Sequence, residues 1–355
     1  MKRNLVMVTA TLLAIVLVLS ACGSKNDAKT TDTTKVNSNV ASNTQQESTQ
    51  TSYPLTIQNY KKVEGGTTWE KKDQVFDKTP ERVLTTTKPA AELLLHLGLA
   101  DKIAAVGADF GEADQTVSAE YEKLKKLSTG YINKEVALGV NPDLIFGRGG
   151  LFDNADWGVG TVDSINDMGV KTYVLESSVT GSTYESVYKD IENVGKIFNV
   201  QEKAASYIKE LQARQQGIES KLATITDSKT FVYLHMSDDK EVVVYPAGNE
   251  SFLNDSMKMV KLTNAFDGQT ADVGIETLIA TDPDVLIIPN WTATGGATPD
   301  KIKEGLYNNP KLSSMKAIKN KQIYAVEYNY LFGYGYNTID GMEILAKEMY
   351  PDLFK

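Results

Sequence analysis

The chain has 355 residues, 46 acidic side chains against 37 basic ones, a formal charge of −9 at pH 7 and 41% hydrophobic residues. That length is enough for two lobes of ordinary domain size. The acidic balance leaves no electrostatic footprint for nucleic acid and would be repelled by an anionic bilayer, and the single cysteine excludes an internal disulfide.

Residues 1–21 open with Lys2 and Arg3, run through Leu12-Leu13-Ala14-Ile15-Val16-Leu17-Val18-Leu19, and end in Leu19-Ser20-Ala21-Cys22. A basic start, a short apolar core and small residues before a cut site describe a secretory signal. The Leu-Ser-Ala-Cys ending resembles a bacterial lipobox, which implies lipid attached through the Cys22 sulfur. Residues 22–52 are built almost wholly from Ser, Thr, Asn, Gln, Asp and Lys, without an aromatic residue. Such a stretch cannot bury enough apolar surface to offset its ordering entropy and reads as a flexible tether.

From about Tyr53 the pattern alternates strand and helix, which implies an α/β fold with helices on the faces of open sheets. An N-terminal lobe over 53–182 begins with the strand Arg82–Thr85 and the apolar helix Ala90–Leu97. It continues through strands at Lys102–Val106, Asp143–Phe146 and Val170–Leu175. Residues 183–227 read as helical. Apolar residues recur at helical spacing from Thr183 to Phe198 and again from Gln201 to Ile225, and the longer stretch reads as a rigid strut between lobes. A C-terminal lobe over 228–355 carries strands at Thr230–His235, Val242–Tyr245, Asp284–Ile288 and Gln322–Val326. Its helices are expected at Ser251–Val260 and Thr338–Met349.

One pair of segments ties the halves together. Glu135 and Glu276 each stand seven residues before a Pro-Asp pair, at Pro142-Asp143 and Pro283-Asp284, and each segment then enters an apolar strand. An acid at the start favours the positive end of a helix, and Pro-Asp turns the chain into the strand.

In their order, several stretches resemble the substrate-binding lipoproteins of ABC importers for ferric siderophores, haem and cobalamin. They are Pro80-Glu81-Arg82-Val83-Leu84 with Ala91-Glu92-Leu93-Leu94-Leu95-His96-Leu97-Gly98-Leu99, and Pro142-Asp143-Leu144-Ile145 leading to Gly147-Arg148-Gly149-Gly150. The C-terminal half adds Tyr245-Pro246-Ala247-Gly248-Asn249-Glu250-Ser251 with Leu262-Thr263-Asn264. The resemblance covers 76–355. It implies two three-layer α/β lobes joined by one long helix, a ligand cleft between them, a monomer, and no catalysis. It also implies that Glu135 and Glu276 meet arginines of the two permease subunits.

Ligands of open α/β sheets bind beyond the carboxyl ends of the strands. That rule selects Arg148, His235, Tyr245, Trp291 and the run Tyr328, Tyr330, Phe332, Tyr334 and Tyr336, five aromatics in nine residues. Such a run suits the wall of a bulky or flat ligand. Arg148 between glycines is expected to offer a bidentate guanidinium to an anionic group, and Trp157 to line the cleft mouth. Trp69 is expected to be packing. Two histidines are too few for a bare zinc or manganese site. No resident cofactor is therefore expected; the ligand is expected to be a chelated metal, a ferric siderophore first, with haem on His235 or cobalamin as alternatives. A secreted hydrolase is the remaining reading, but no Ser-His-Asp set, phosphate loop or His-Glu-x-x-His supports one.

Overall fold

The structure, a computed structural model, describes residues 50–153 and 158–355. The leader, Cys22, the tether up to residue 49 and Trp157 lie outside the described residues.

The first element is a hairpin that the sequence pattern did not announce. Strands β1 (Leu55–Lys61) and β2 (Glu70–Phe76) pair antiparallel, with Leu55 opposite Phe76 and Lys61 opposite Glu70. Its buried face is half polar: Ile57 and Phe76 lie with Asn59 and Gln74. Those amides fit there because both bond a neighbouring strand: Gln74 Oε1 accepts the Thr172 N–H at 3.3 Å, and Asn59 is described below.

The N-lobe sheet contains β3 (Val83–Thr87), β4 (Ile103–Ala108), β5 (Lys126–Ser128), β6 (Leu144–Arg148) and β7 (Lys171–Leu175). Their order is β5-β4-β3-β6-β7, all parallel. The central strand β3 is buried at every position, as expected where helices cover both faces of a parallel sheet. Asn59 Nδ2 donates to the Val174 carbonyl at 2.9 Å, and the Val174 N–H donates to Asn59 Oδ1 at 2.8 Å. The hairpin is thereby docked on β7.

The C-lobe sheet holds β8 (Lys229–Leu234), β9 (Val244–Tyr245), β10 (Leu262–Asn264), β11 (Val285–Asn290) and β12 (Ile323–Glu327). The order β10-β8-β11-β12 is parallel, and β9 adds antiparallel to β8.

Two helices link the sheets. Glu185–Phe198 buries Val187, Ile191, Val194 and Phe198 along one stripe and ends at Asn199 in the left-handed region, φ 56°. The long helix Gln201–Lys221 stops four residues before the expected Ile225. The stretch Ala223-Thr224-Ile225-Thr226-Asp227 is rich in β-branched residues and Asp, all poor helix formers. The long helix touches both lobes. Tyr207 stacks on His96 of the N-lobe helix Lys88–His96, ring centres 4.5 Å apart. Arg214 Nε donates to Glu343 at 2.9 Å, and the same guanidinium pairs with Asp340, both on the C-lobe helix Thr338–Met349.

The largest apolar cluster runs through both lobes and the connecting helices, including Leu94, Phe146, Tyr173, Ile191, Leu211, Phe231, Ile287 and Met342. Separate clusters back each sheet, around Leu286 and Ile288 in the C-lobe and around Ile145 and Val174 in the N-lobe. Among the described residues, no helix is long and apolar enough to cross a membrane.

Candidate functional site

A cavity of about 670 Å³ lies where loops of the two lobes meet. Its walls stand at carboxyl ends of parallel strands: Arg148 closes β6, Ser178, Val179, Thr180 and Ser182 follow β7, His235 follows β8, and Tyr328 and Phe332 follow β12. This is where the crossover rule puts a ligand. Tyr233, Tyr245, Phe252 and Tyr334 add aromatic surface, and Lys62, Thr67 and Trp69 enter from the hairpin loop. The volume falls in the range of small-molecule sites.

Helical geometry decides which aromatics face the cavity. Tyr328–Phe332 is one short helix, so residues 328 and 332 share a face while residue 330 points elsewhere. Tyr328 and Phe332 stack at 5.3 Å, and both line the cavity. Tyr330 instead packs on the last long helix, where a side chain at Gly341 would lie 2.8 Å from its Cβ.

The charged groups in the wall are held by the protein itself. Lys62 Nζ pairs with Asp153 Oδ2 at 2.6 Å, each side chain about 11% exposed. Arg148 Nη1 donates to the Phe332 carbonyl at 2.7 Å, its Nη2 bonds Tyr131 Oη, and its plane lies 5.0 Å from the Tyr131 ring. Glu250 accepts from Tyr245 Oη at 2.6 Å and Tyr334 Oη at 2.8 Å. Burial lowers the His235 pKa, so its imidazole stays neutral at neutral pH and keeps a lone pair for a metal. Its ring lies 5.5 Å from Trp291 and 6.3 Å from Tyr328.

A seam of hydrogen bonds joins the lobes around this cavity. Besides Arg148 to Phe332, Ser177 Oγ donates to the Tyr334 carbonyl at 2.6 Å, and Gly181 N–H to Ser251 Oγ at 2.8 Å. Asn329 Nδ2 donates to the Phe110 carbonyl at 2.9 Å. Farther along, Tyr336 Oη donates to Asp114 Oδ2 at 2.9 Å, and His96 Nε2 shares that oxygen at 2.7 Å.

A model of the periplasmic binding protein family matches residues 83–330, which span both sheets and the connecting helices. The chain belongs to the periplasmic binding protein family. It is 24% identical over its whole length, and the whole length of the relative, to an uncharacterized ABC transporter substrate-binding lipoprotein, YvrC, of Bacillus subtilis. A cobalamin-binding protein of Halobacterium salinarum is 23% identical over 60% of this chain and 54% of its own. Among solved structures, a periplasmic binding protein from Veillonella parvula superposes with a TM-score of 0.71 at 23% identity, covering 84% of this chain and 99% of the other. A structure of an ABC-type Fe3+-hydroxamate transport system from Saccharomonospora viridis gives 0.68 at 22% identity, covering 84% and 100%.

In this periplasmic binding protein the residues expected at the cleft are not all brought together. Arg148, His235, Tyr245, Tyr328, Phe332 and Tyr334 line the cavity. Trp291 backs it: the indole stacks on Tyr328 at 4.4 Å and borders a second, open hollow with His235. Tyr330 and Tyr336 do not line it, the first because of its helical face, the second because its hydroxyl is spent on Asp114. Of the Arg148 nitrogens, Nη1 is engaged by the Phe332 carbonyl and Nη2 by Tyr131. Trp69, expected to be packing, does pack on the N-lobe cluster around Ile145 and Val174, and it is part of the wall as well. Tyr233, Glu250 and Phe252 were not singled out by sequence; Glu250 and Phe252 flank Ser251 at the start of the helix Ser251–Lys258, the place where a cleft loop turns inward. Glu135 and Glu276 are exposed in the first turns of the short helices Lys134–Leu138 and Ile275–Thr281. Among the described residues, no group of three His, Cys, Asp or Glu is placed to hold a metal ion.

Proposed function

We propose that this protein is the extracytoplasmic substrate-binding component of an ABC importer and that it captures a bulky metal chelate, a ferric siderophore of the uncharged hydroxamate kind first. The carrying observation is the cavity itself: an aromatic wall whose two cations, Lys62 and Arg148, are already bonded within the protein. Asp153 matches the charge of Lys62, and Glu250 sets a carboxylate in the same wall as Arg148, so the lining offers a strongly anionic complex no net positive charge. A neutral chelate with a large apolar perimeter asks for none. The names of relatives are consistent with this range, since one is a cobalamin-binding protein and another belongs to an Fe3+-hydroxamate system.

His235 favours one second reading. A neutral imidazole in an aromatic cavity suits an axial position on the iron of haem or the cobalt of a corrin. The remaining parts of the proposal concern delivery. Cys22 would anchor the chain by lipid to the outer face of the cell membrane. Glu135 and Glu276, one per lobe, would each meet a permease arginine with charge-assisted hydrogen bonds.

The test is isothermal titration with ferrichrome (an uncharged ferric trihydroxamate), haemin and cyanocobalamin. Saturable binding of the ferric hydroxamate is expected. Saturable haemin binding alone, lost in His235→Ala, would move the assignment to haem. No heat with any of the three would end the chelate reading.

A further inference from the structure

The hairpin β1–β2 precedes residue 83, where the family match begins, yet its loop reaches the cavity. We propose that this loop, and Trp69 above all, selects the ligand by forming the N-lobe wall of the cavity. The inference rests on the reading that the cavity takes a small molecule.

The loop's placement follows from how it is held. At its base, Asn59 completes the edge of β7 through two hydrogen bonds. At its tip, Asp153 of the N-lobe takes the Gly65 N–H on Oδ1 at 2.7 Å and Lys62 Nζ on Oδ2 at 2.6 Å. Lys62 also donates to the Gly66 carbonyl at 3.2 Å and lies 5.6 Å from the centre of the Trp69 ring. The ion pair is nearly buried, so it is screened little and fixes the tip.

Trp69 is seated by a missing side chain. A Cβ at Gly149 would lie 2.7 Å from Trp69 Cζ2 and 2.8 Å from Cη2, so the indole lies against bare backbone. Gly149 is fixed in turn by its N–H donating to Ser178 Oγ at 2.7 Å. An indole so fixed loses little entropy on meeting a ligand and presents a large apolar face. With Tyr328, Phe332 and Tyr334 supplied by the C-lobe, a flat or greasy ligand is held between aromatic groups from both lobes.

Two measurements on the full mature chain test this. In the first, Trp69→Ala and Trp69→Phe are titrated calorimetrically with ferrichrome, haemin and cyanocobalamin. Trp69→Ala is expected to weaken the best-bound of these by about tenfold or more, while Trp69→Phe, which keeps an aromatic face, stays within about threefold of wild type. Equal affinity of wild type and Trp69→Ala overturns the proposal, and a matching loss in both variants overturns the stacking role. In the second, native mass spectrometry compares what wild type and Trp69→Ala retain after exposure to spent growth medium. A captured molecule that is no metal chelate sinks the proposed function alone, provided Trp69→Ala loses it. Undiminished capture by Trp69→Ala sinks the role of the hairpin alone, and an empty wild-type cavity in both experiments sinks both.

Discussion

Asp190 shows how one buried side chain sets a proton count. Its Oδ1 accepts the Glu176 N–H at 2.7 Å and Tyr173 Oη at 2.9 Å, and its Oδ2 accepts the Ser177 N–H at 3.1 Å. Ser177 Oγ lies 2.8 Å from that Oδ2 and 2.6 Å from the Tyr334 carbonyl across the seam. A hydroxyl carries one proton and a carbonyl can only accept, so both contacts are satisfied together when Asp190 is protonated. Burial pushes the Asp190 carboxyl up to about 7 despite those backbone donors. The folded state therefore keeps a proton that the unfolded chain, with an ordinary carboxylate, releases near pH 4. This contribution to stability is complete below about pH 4 and is lost as the pH rises through about 7. Thermal melts of wild type and Asp190→Asn between about pH 5 and 8 are expected to differ in slope, with the wild-type midpoint falling more steeply from about pH 5 to 7 and the difference fading towards pH 8. Parallel curves would mean that Asp190 is ionised throughout. Glu92 and Glu327, also buried and pushed up to about 7, add slope of the same sign in both proteins.

At the level of elements, the hairpin depends on Asn59, which is 1% exposed and answers both main-chain groups of Val174. Asn59→Ala leaves a buried N–H and C=O unpaired, and a loss of about 1–3 kcal/mol is expected in urea unfolding, read as a lower midpoint with an unchanged slope. A midpoint equal to wild type would show that the docking is carried by Ile57 and Phe76. The same hairpin explains where sequence reading stopped. Parallel strands such as β6 and β11 are legible because burial on both faces makes Leu144-Ile145-Phe146 and Val285-Leu286-Ile287-Ile288 continuous apolar runs. In contrast, Glu70-Lys71-Lys72-Asp73-Gln74-Val75-Phe76 is mostly polar, and its strand state is decided by contacts distant in sequence. Trp69 beside it carried no local sign that it would meet residue 149. The aromatic run 328–336 was legible as a cluster but not as a surface. A five-residue helix and the left-handed backbone at Tyr334, φ 51°, divide it between cavity and packing.

Across the whole molecule, the two lobes repeat a plan in which an acid-led short helix precedes a buried strand, Glu135 before β6 and Glu276 before β11. Both glutamates are exposed and neither lines the cavity, so changing them is expected to leave ligand affinity unchanged. With Glu135→Ala and Glu276→Ala combined, uptake of a labelled ligand by cells is expected to fall to background. Normal uptake would reduce both residues to helix-start acids.

The seam between the lobes has a chemical signature with a consequence for how such a protein changes over time. The acceptors at Phe332, Tyr334 and Phe110 are main-chain carbonyls, which persist whatever side chain the position carries. Phe332 and Tyr334 are also cavity residues, so their rings can be exchanged while the oxygens that register one lobe on the other stay in place. Ligand preference is thus free to drift at the very positions that hold the halves in alignment.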